Sequence, residues 1–210
     1  MPGDIATVLA QHRVVPVIAL KDAGHAEPLG AALAAGGLPI AEVTFRTAAA
    51  ADSIRRMADG VPGLAVGAGT VLTPDQVDLA VDSGATFIVS PGTSAAVIKR
   101  CHDRGVPVLP GVATATEIMM ALDNGVDLVK FFPAEAAGGL PTLKALTAPF
   151  GQVRFVPTGG VTEANLASYL AVPAVVACGG TWMVKADVIA AGAFDQVETA
   201  VRAAVTLAAA

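Results

Sequence analysis

Apolar and polar positions alternate along this chain in two rhythms. Short apolar runs, mostly rich in β-branched residues, recur: VVPVIAL from Val14, IAEVTF from Ile40, AVGAG from Ala65 and FIVS from Phe87. Four more follow, VPVLP from Val106, LVKFF from Leu128, VRFVP from Val153 and AVVAC from Ala174. Runs this short, apolar on both faces, are the habit of parallel strands covered by helices. Between them lie stretches with helical spacing, among them TPDQVDLAVDSG, TSAAVIKRCHDRG and TATEIMMALDNG. Each opens on a Thr or Ser suited to an N-cap and closes on a Gly suited to the left-handed turn that ends a helix. GDIATVLAQHR predicts an extra helix ahead of the first strand, and AFDQVETAVRAAVTLAAA predicts a terminal amphipathic helix.

The eight strands begin roughly 20 to 26 residues apart, each followed by a helix or a helix-sized gap. That repeat predicts an α/β fold, a single (β/α)8 TIM barrel near the lower size limit of the class, with the extra N-terminal helix and the C-terminal amphipathic helix added. A doubly wound open sheet shares the same local grammar and is the alternative. No linker or shift in composition divides residues 1–210, so one domain is expected.

Composition narrows the function classes. Hydrophobic residues make up 54% of the chain and charged residues 15%, enough for a large core. The formal charge of −5 is spread without runs, so neither nucleic acid nor an anionic membrane is an expected partner. No apolar stretch is long enough to cross a bilayer. The opening MPGDIATVLAQHR lacks the basic-then-apolar order of a secretory signal. Cys101 and Cys178 lie far apart with no CxxC, which fits a reduced, cytoplasmic setting. His12, His25 and His102 are scattered and read as surface or helix-end residues, so no metal site is expected.

Strand parity gives the first chemical lead. In a barrel, alternate strand residues point inward and active sites gather at the strands' carboxyl ends. Ala41, Val43 and Phe45 form one wholly apolar set, so Ile40, Glu42 and Thr44 face inward, with Arg46 at the mouth. Val129 and Phe131 take the helix side in the same way, so Leu128, Lys130 and Phe132 face inward. Lysine is among the residues least often buried. The plain reading is a structural ion pair with Glu42. The chemical reading is an amine that attacks a ketone, because an amine out of water is favoured in its neutral, nucleophilic form.

Glycine pairs give the second lead. PTGGV from Pro157 follows the seventh strand and CGGTW from Cys178 follows the eighth, where barrel enzymes often hold phosphate. Glycine lets backbone N–H groups approach an anion, although tight turns are its commoner use. Thr162 is expected as the N-cap of the helix that follows the first pair, with Asn165 in its first turn. GAGTV from Gly67 lacks the third glycine of a dinucleotide fingerprint. Trp182, Tyr169, Met119 and Met120 read as packing residues.

Taken together, EVTFRT, VGAGTVL, SPG, VKFFPAEAAGG, FVPTGGV and CGGTWMV resemble the 2-keto-3-deoxy-6-phosphogluconate (KDPG) aldolases, class I aldolases of the Entner–Doudoroff route. The likeness runs in order over essentially the whole chain. It implies a (β/α)8 barrel, a homotrimer, no metal and no organic cofactor, and a small-molecule 2-keto acid phosphate as partner. Many members also cleave 4-hydroxy-2-oxoglutarate. By the resemblance Lys130 is the Schiff-base lysine, Glu42 the catalytic glutamate and Arg46 the holder of the carboxylate end. Thr70, Pro91 and Phe132 match the lining of the keto-acid pocket, and Thr158, Gly159 and Gly160 match the phosphate loop. Gly179 and Gly180 belong to the same phosphate end, and Thr181 stands where the family has serine. EVTFRT favours the gluconate branch over the galactonate-type aldolases. Alternatives from other classes are a phosphate-binding barrel acting through an enediolate, with a carboxylate or metal beside the lysine, and a non-catalytic sugar-phosphate binder. Asp127 has the wrong parity to serve the first. A preference for 4-hydroxy-2-oxoglutarate or the galactonate epimer is the alternative within the aldolases.

Overall fold

The computed structural model of the chain describes residues 5–209. It is an all-parallel α/β fold. Nine short strands are present among the described residues: β1 (Val14–Ile18), β2 (Ile40–Thr44), β3 (Ala65–Gly69), β4 (Phe87–Val89), β5 (Val108–Leu109), β6 (Gly111–Val112), β7 (Leu128–Phe131), β8 (Arg154–Pro157) and β9 (Cys178–Gly180). The helices are α1 (Ile5–His12), α2 (Ala26–Ala35), α3 (Ala50–Gly60), α4 (Pro74–Asp82), α5 (Ala95–Asp103), α6 (Ala115–Asp123), α7 (Gly139–Thr147), α8 (Leu166–Leu170), α9 (Ala186–Ala190) and α10 (Phe194–Ala209). Gly3 and Asp4 of the expected first helix, and Ala210 of the last, lie outside the described residues.

One sheet runs β5-β4-β3-β2-β1-β9 and the other β6-β7-β8, so the strands follow chain order with the last beside the first. Hydrogen bonds also link the sheets. Lys130 donates its amide to Pro110 at 2.9 Å, and Val176 donates to Phe155 at 3.1 Å. Thr158 bridges in parallel to Gly179. The expected fifth strand is thus cut in two at Pro110, which has no amide to give to a ladder. The eighth begins at Cys178 rather than Ala174, because Val175 makes only an isolated bridge.

The helix signals act as their chemistry requires. Thr73 and Ser94 accept from the amides of Gln76 and Val97, and Thr114 forms a reciprocal capping box with Glu117. Gly84, Gly105 and Gly125 follow these helices at φ of +96°, +64° and +75°. The capping prediction for Thr162 is corrected. The helix opens at Leu166, and Asn165 spends its carboxamide on the turn before it, accepting from the Thr162 amide at 2.8 Å and donating to the Gly160 carbonyl at 3.1 Å.

The core lies between the strands and the helices that cover them. α10 buries Val197, Val201, Ala204 and Ala208 on one stripe. It meets α2 so closely that a Cβ on Gly36 would stand 2.6 Å from Val201. Burying one such valine is worth about 1.5–3 kcal/mol, so that stripe holds the terminal helix in place. Met119 and Met120 are not packing residues: at 56% and 41% exposure they face outward, because α6 buries Ile118 and Ala121 instead.

Candidate active site

Strands of the two different sheets bring the two interior charges together. Glu42 on β2 pairs in register with Val17 on β1, and Lys130 on β7 with Gly111 on β6. Their side chains meet across the interior, Lys130 Nζ donating to Glu42 Oε1 at 3.0 Å, with only 7% and 4% of each side chain exposed. The ammonium also lies 5.2 Å from the Phe132 ring centroid, within cation–π range.

Small residues make room for this pair. A Cβ on Gly69 would stand 2.3 Å from Glu42 Oε1, so the end of β3 has to be glycine for the carboxylate to lie where it does. Thr70 follows at φ +58°, a rare conformation for a β-branched residue and a costly one. Such strain is held where the surroundings determine it, and here Val71 next in the chain donates to the Val89 carbonyl at 3.1 Å.

Arg46 stands at the rim. Its Nε donates to Thr44 Oγ1 at 3.0 Å, and that hydroxyl donates to the Ile18 carbonyl at 2.8 Å. Among the described residues no carboxylate pairs with this guanidinium, so its outer N–H groups are available to an anion. Asp127, by contrast, is drawn to Arg154 at 3.0 Å, away from Lys130.

The glycines line the same cavity. Gly159 and Gly160 take φ of +97° and +84°, which only glycine adopts without strain. Gly179 and Gly180 are not in a loop after the last strand, as expected, but within β9 itself. Contact explains them. A Cβ on Gly179 would meet Thr158 Oγ1 at 2.4 Å, and one on Gly180 would enter the Trp182 ring at 1.7 Å. Thr181 is the exposed residue that follows.

The lysine, the glutamate, the arginine and both glycine pairs share one cavity of about 410 Å³. Glu42, Arg46, Thr70, Pro91, Lys130, Phe132, Thr158, Gly159, Gly160, Gly179, Gly180 and Thr181, each named from the sequence, line it. Val17, Thr44 and Val161 line it as well and were not picked out as site residues. Thr44 was within reach, since it shares the inward parity of Glu42. Val17 sits in a strand apolar on both faces, where parity gives no sign.

Other reactive types lie apart. Cys101 and Cys178 are buried and unbridged, and burial pushes both thiols up to about 12, so neither is a thiolate at neutral pH. His12 and His102 end helices, and His25 packs edge-on against Phe194 at 5.8 Å. No group of three or more His, Cys, Asp or Glu that could hold a metal ion occurs among the described residues. No helix of the described residues is long and apolar enough to cross a membrane.

Comparison with known proteins gives a consistent result. The family model for KDPG and KHG aldolases matches residues 5–200. The chain is 50% identical over 193 residues to the 2-dehydro-3-deoxy-phosphogluconate aldolase of Treponema pallidum, covering 92% of each chain. It is 45% identical over 199 residues to the KHG/KDPG aldolase of Escherichia coli K12, covering 95% of this chain and 93% of that one. Among solved structures it is similar to the KDPG aldolase of Legionella pneumophila with pyruvate captured at low pH as a covalent carbinolamine intermediate. The TM-score there is 0.93 at 38% identity, over 97% of this chain and 98% of that chain. The enzyme of Zymomonas mobilis ZM4 with 3-phosphoglycerate gives 0.91 at 41% identity, over 99% and 97%.

Proposed function

The chain belongs to the KDPG and KHG aldolase family, and from that premise we propose that it is a class I aldolase. It cleaves 2-dehydro-3-deoxy-6-phosphogluconate reversibly to pyruvate and glyceraldehyde 3-phosphate, and 4-hydroxy-2-oxoglutarate to pyruvate and glyoxylate. The observation that carries this is the buried Lys130–Glu42 pair, 3.0 Å apart in a cavity that a free guanidinium and paired glycines also line. A buried pair is weak evidence for stability, because desolvation can exceed the Coulombic gain. Its retention here is accounted for by chemistry.

Moving one proton along the 3.0 Å contact leaves an amine at Lys130 and an acid at Glu42. The amine attacks the C2 ketone, and Glu42 delivers the proton with which the carbinolamine oxygen leaves as water. The resulting cationic imine accepts the electron pair of the C3–C4 bond. As that bond breaks, Glu42 takes the C4 hydroxyl proton, through water, and the aldehyde departs. The enamine then receives a proton at C3, and water hydrolyses the imine to release pyruvate and restore Lys130. Covalent attachment divides one hard step into easier ones. Arg46 binds the carboxylate, while Thr70, Pro91 and Phe132 surround the three-carbon keto acid. Thr158, Gly159, Gly160, Gly179, Gly180 and Thr181 take the phosphate. Holding both anionic ends fixes which bond lies over the lysine.

Several further features complete the proposal. The two sheets are read as one closed (β/α)8 barrel spanning the chain as a single domain. In it β5 and β6 form one interrupted strand and β8 meets β9 through the Thr158–Gly179 bridge, with α1 and α10 as the additions. No metal or organic cofactor is needed for this chemistry. The two buried, unbridged cysteines support a cytoplasmic setting. A homotrimer is proposed, with exposed Leu72, Leu79, Met119 and Met120 available to an interface. Light scattering tests it against the 20.9 kDa chain mass.

The activity is tested by coupling pyruvate release to lactate dehydrogenase, with each of the two substrates and with the galactonate epimer. Turnover with the gluconate compound is expected. Turnover with none of the three contradicts the proposal, and preference for the epimer reassigns the substrate.

A further inference from the structure

Outside the cavity, a set of contacts ties the loop after β7 to the glycine segment. The loop at 132–138, which leaves β7 just after Lys130, lies along the glycine loop at 158–160. Ala134 donates its amide to the Thr158 carbonyl at 2.8 Å, and Glu135 donates its amide to Gly159 at 3.0 Å. The Glu135 side chain then passes between two glycines. A Cβ on Gly160 would stand 2.5 Å from Glu135 Cγ, and one on Gly139 would stand 3.3 Å from Oε1. At its tip Oε1 accepts a hydrogen bond from the Tyr169 hydroxyl.

Tyr169 belongs to α8, the helix that follows the glycine loop, and is 1% exposed. Burial, and then the neighbouring carboxylate, raise its pKa, so the phenol remains a donor at any working pH. Asn165 already anchors the loop from its own side, through Gly160 and Thr162. The Tyr169–Glu135 link is different in kind. It joins residues 34 apart in sequence and connects the helix that follows the glycine loop to the loop that leaves the lysine-bearing strand. Neither residue lines the cavity.

We propose that Glu135 and Tyr169 are positioning residues that set the spacing between Lys130 and the glycine loop, and thereby the affinity for the phosphate-bearing end of the substrate. The keto-acid end, held by Arg46 and Thr70 just beyond β2 and β3, does not depend on them. The inference rests on the phosphate reading of Gly159 and Gly160 given above.

The test is Tyr169→Phe, which keeps the buried ring and removes only the donor. KM for the phosphorylated substrate is expected to rise roughly three- to thirtyfold, the usual range when a residue away from the ligand alters its binding. KM for 4-hydroxy-2-oxoglutarate, which has no phosphate, stays the same. Glu135→Gln retains an acceptor and stays close to the parent, while Glu135→Ala matches Tyr169→Phe. Calorimetry with glycerol 3-phosphate reads the same loss without turnover, which separates this inference from the aldolase reading. Parent protein that binds glycerol 3-phosphate but turns nothing over defeats the aldolase reading alone. Parent protein that fails to bind it removes the phosphate site and this inference with it. Equal KM shifts for both substrates, or none for either, overturn the inference.

Discussion

Two groups of charges in this molecule use the same chemistry in opposite surroundings. On the outside, Asp78 of α4 accepts from Arg100 at 2.9 Å and from Arg104 at 2.5 Å, and Arg104 also reaches Asp82 at 2.6 Å. These side chains remain 24–67% exposed. Inside, Lys130 and Glu42 meet at 3.0 Å with almost no water. The outer cluster loses little hydration and gains little net energy, as exposed pairs do. The inner pair loses most of its hydration and gains one hydrogen-bonded ion contact in return. Charges placed so unfavourably, while a helix surface offers an easy alternative, are explained by what they do to a bound molecule.

The sharpest way to break that contrast is to make the interior apolar. Lys130→Met with Glu42→Leu is expected to abolish turnover, by at least about 10⁴-fold, as removal of a covalent nucleophile does. Thermal unfolding of the same double variant should match or exceed the parent, since apolar replacements of buried ion pairs are often neutral or stabilising. Lys130→Met alone strands a buried carboxylate and should cost about 3–5 kcal/mol. A double variant as unstable as the single one would make the pair structural.

Next in size is Glu42→Gln, which keeps the shape and loses the proton carrier. Its kcat should fall by about 10²- to 10⁴-fold while pyruvate still binds. Gly69→Ala approaches the same result from outside the chemistry. Its Cβ would stand 2.3 Å from Glu42 Oε1 and push the carboxylate aside. A displacement near 1 Å costs about a hundredfold in rate. An alanine variant with full kcat would show that the carboxylate tolerates movement.

Arg46→Lys should act on KM, by about tenfold, because a lysine reproduces neither the planar fork nor the Nε bond to Thr44. Steady-state kinetics with both substrates check this, and an unchanged KM contradicts the role. Smallest of all is Asp78→Asn. The Arg100 and Arg104 guanidiniums hold the Asp78 carboxyl below the usual carboxylate range. A depressed pKa stabilises the fold above the unfolded carboxylate's pKa, and that contribution is lost as pH falls through the folded value. The variant should therefore melt slightly lower than the parent at neutral pH, with activity intact, and the gap should close in acid.

How much of this was legible in the sequence follows from how local each cause is. Parity named Glu42 and Lys130 because one face of each strand is wholly apolar and the other carries a single charge. The starts of α4, α5 and α6 were legible because caps are read within four residues, whereas Thr162 was misread because a turn held by Asn165 precedes α8. The second glycine pair was misplaced because its cause is distant or lateral. Gly179 is glycine on account of Thr158, and Gly180 on account of the Trp182 ring folding back over it. Met119 and Met120 were misread because methionine suggested packing, while the helical period already gave the inner positions to Ile118 and Ala121. The Tyr169–Glu135 link spans 34 residues and no periodicity announces it.

The central claim is that Lys130 is buried in order to form a covalent bond with a ketone. Borohydride reduction in the presence of pyruvate, followed by intact mass and peptide mapping, tests it directly. The account predicts one reduced pyruvyl adduct per chain, mapped to Lys130, and none in Lys130→Met. Pyruvate that binds without forming an adduct, or an adduct on any other lysine, would contradict it.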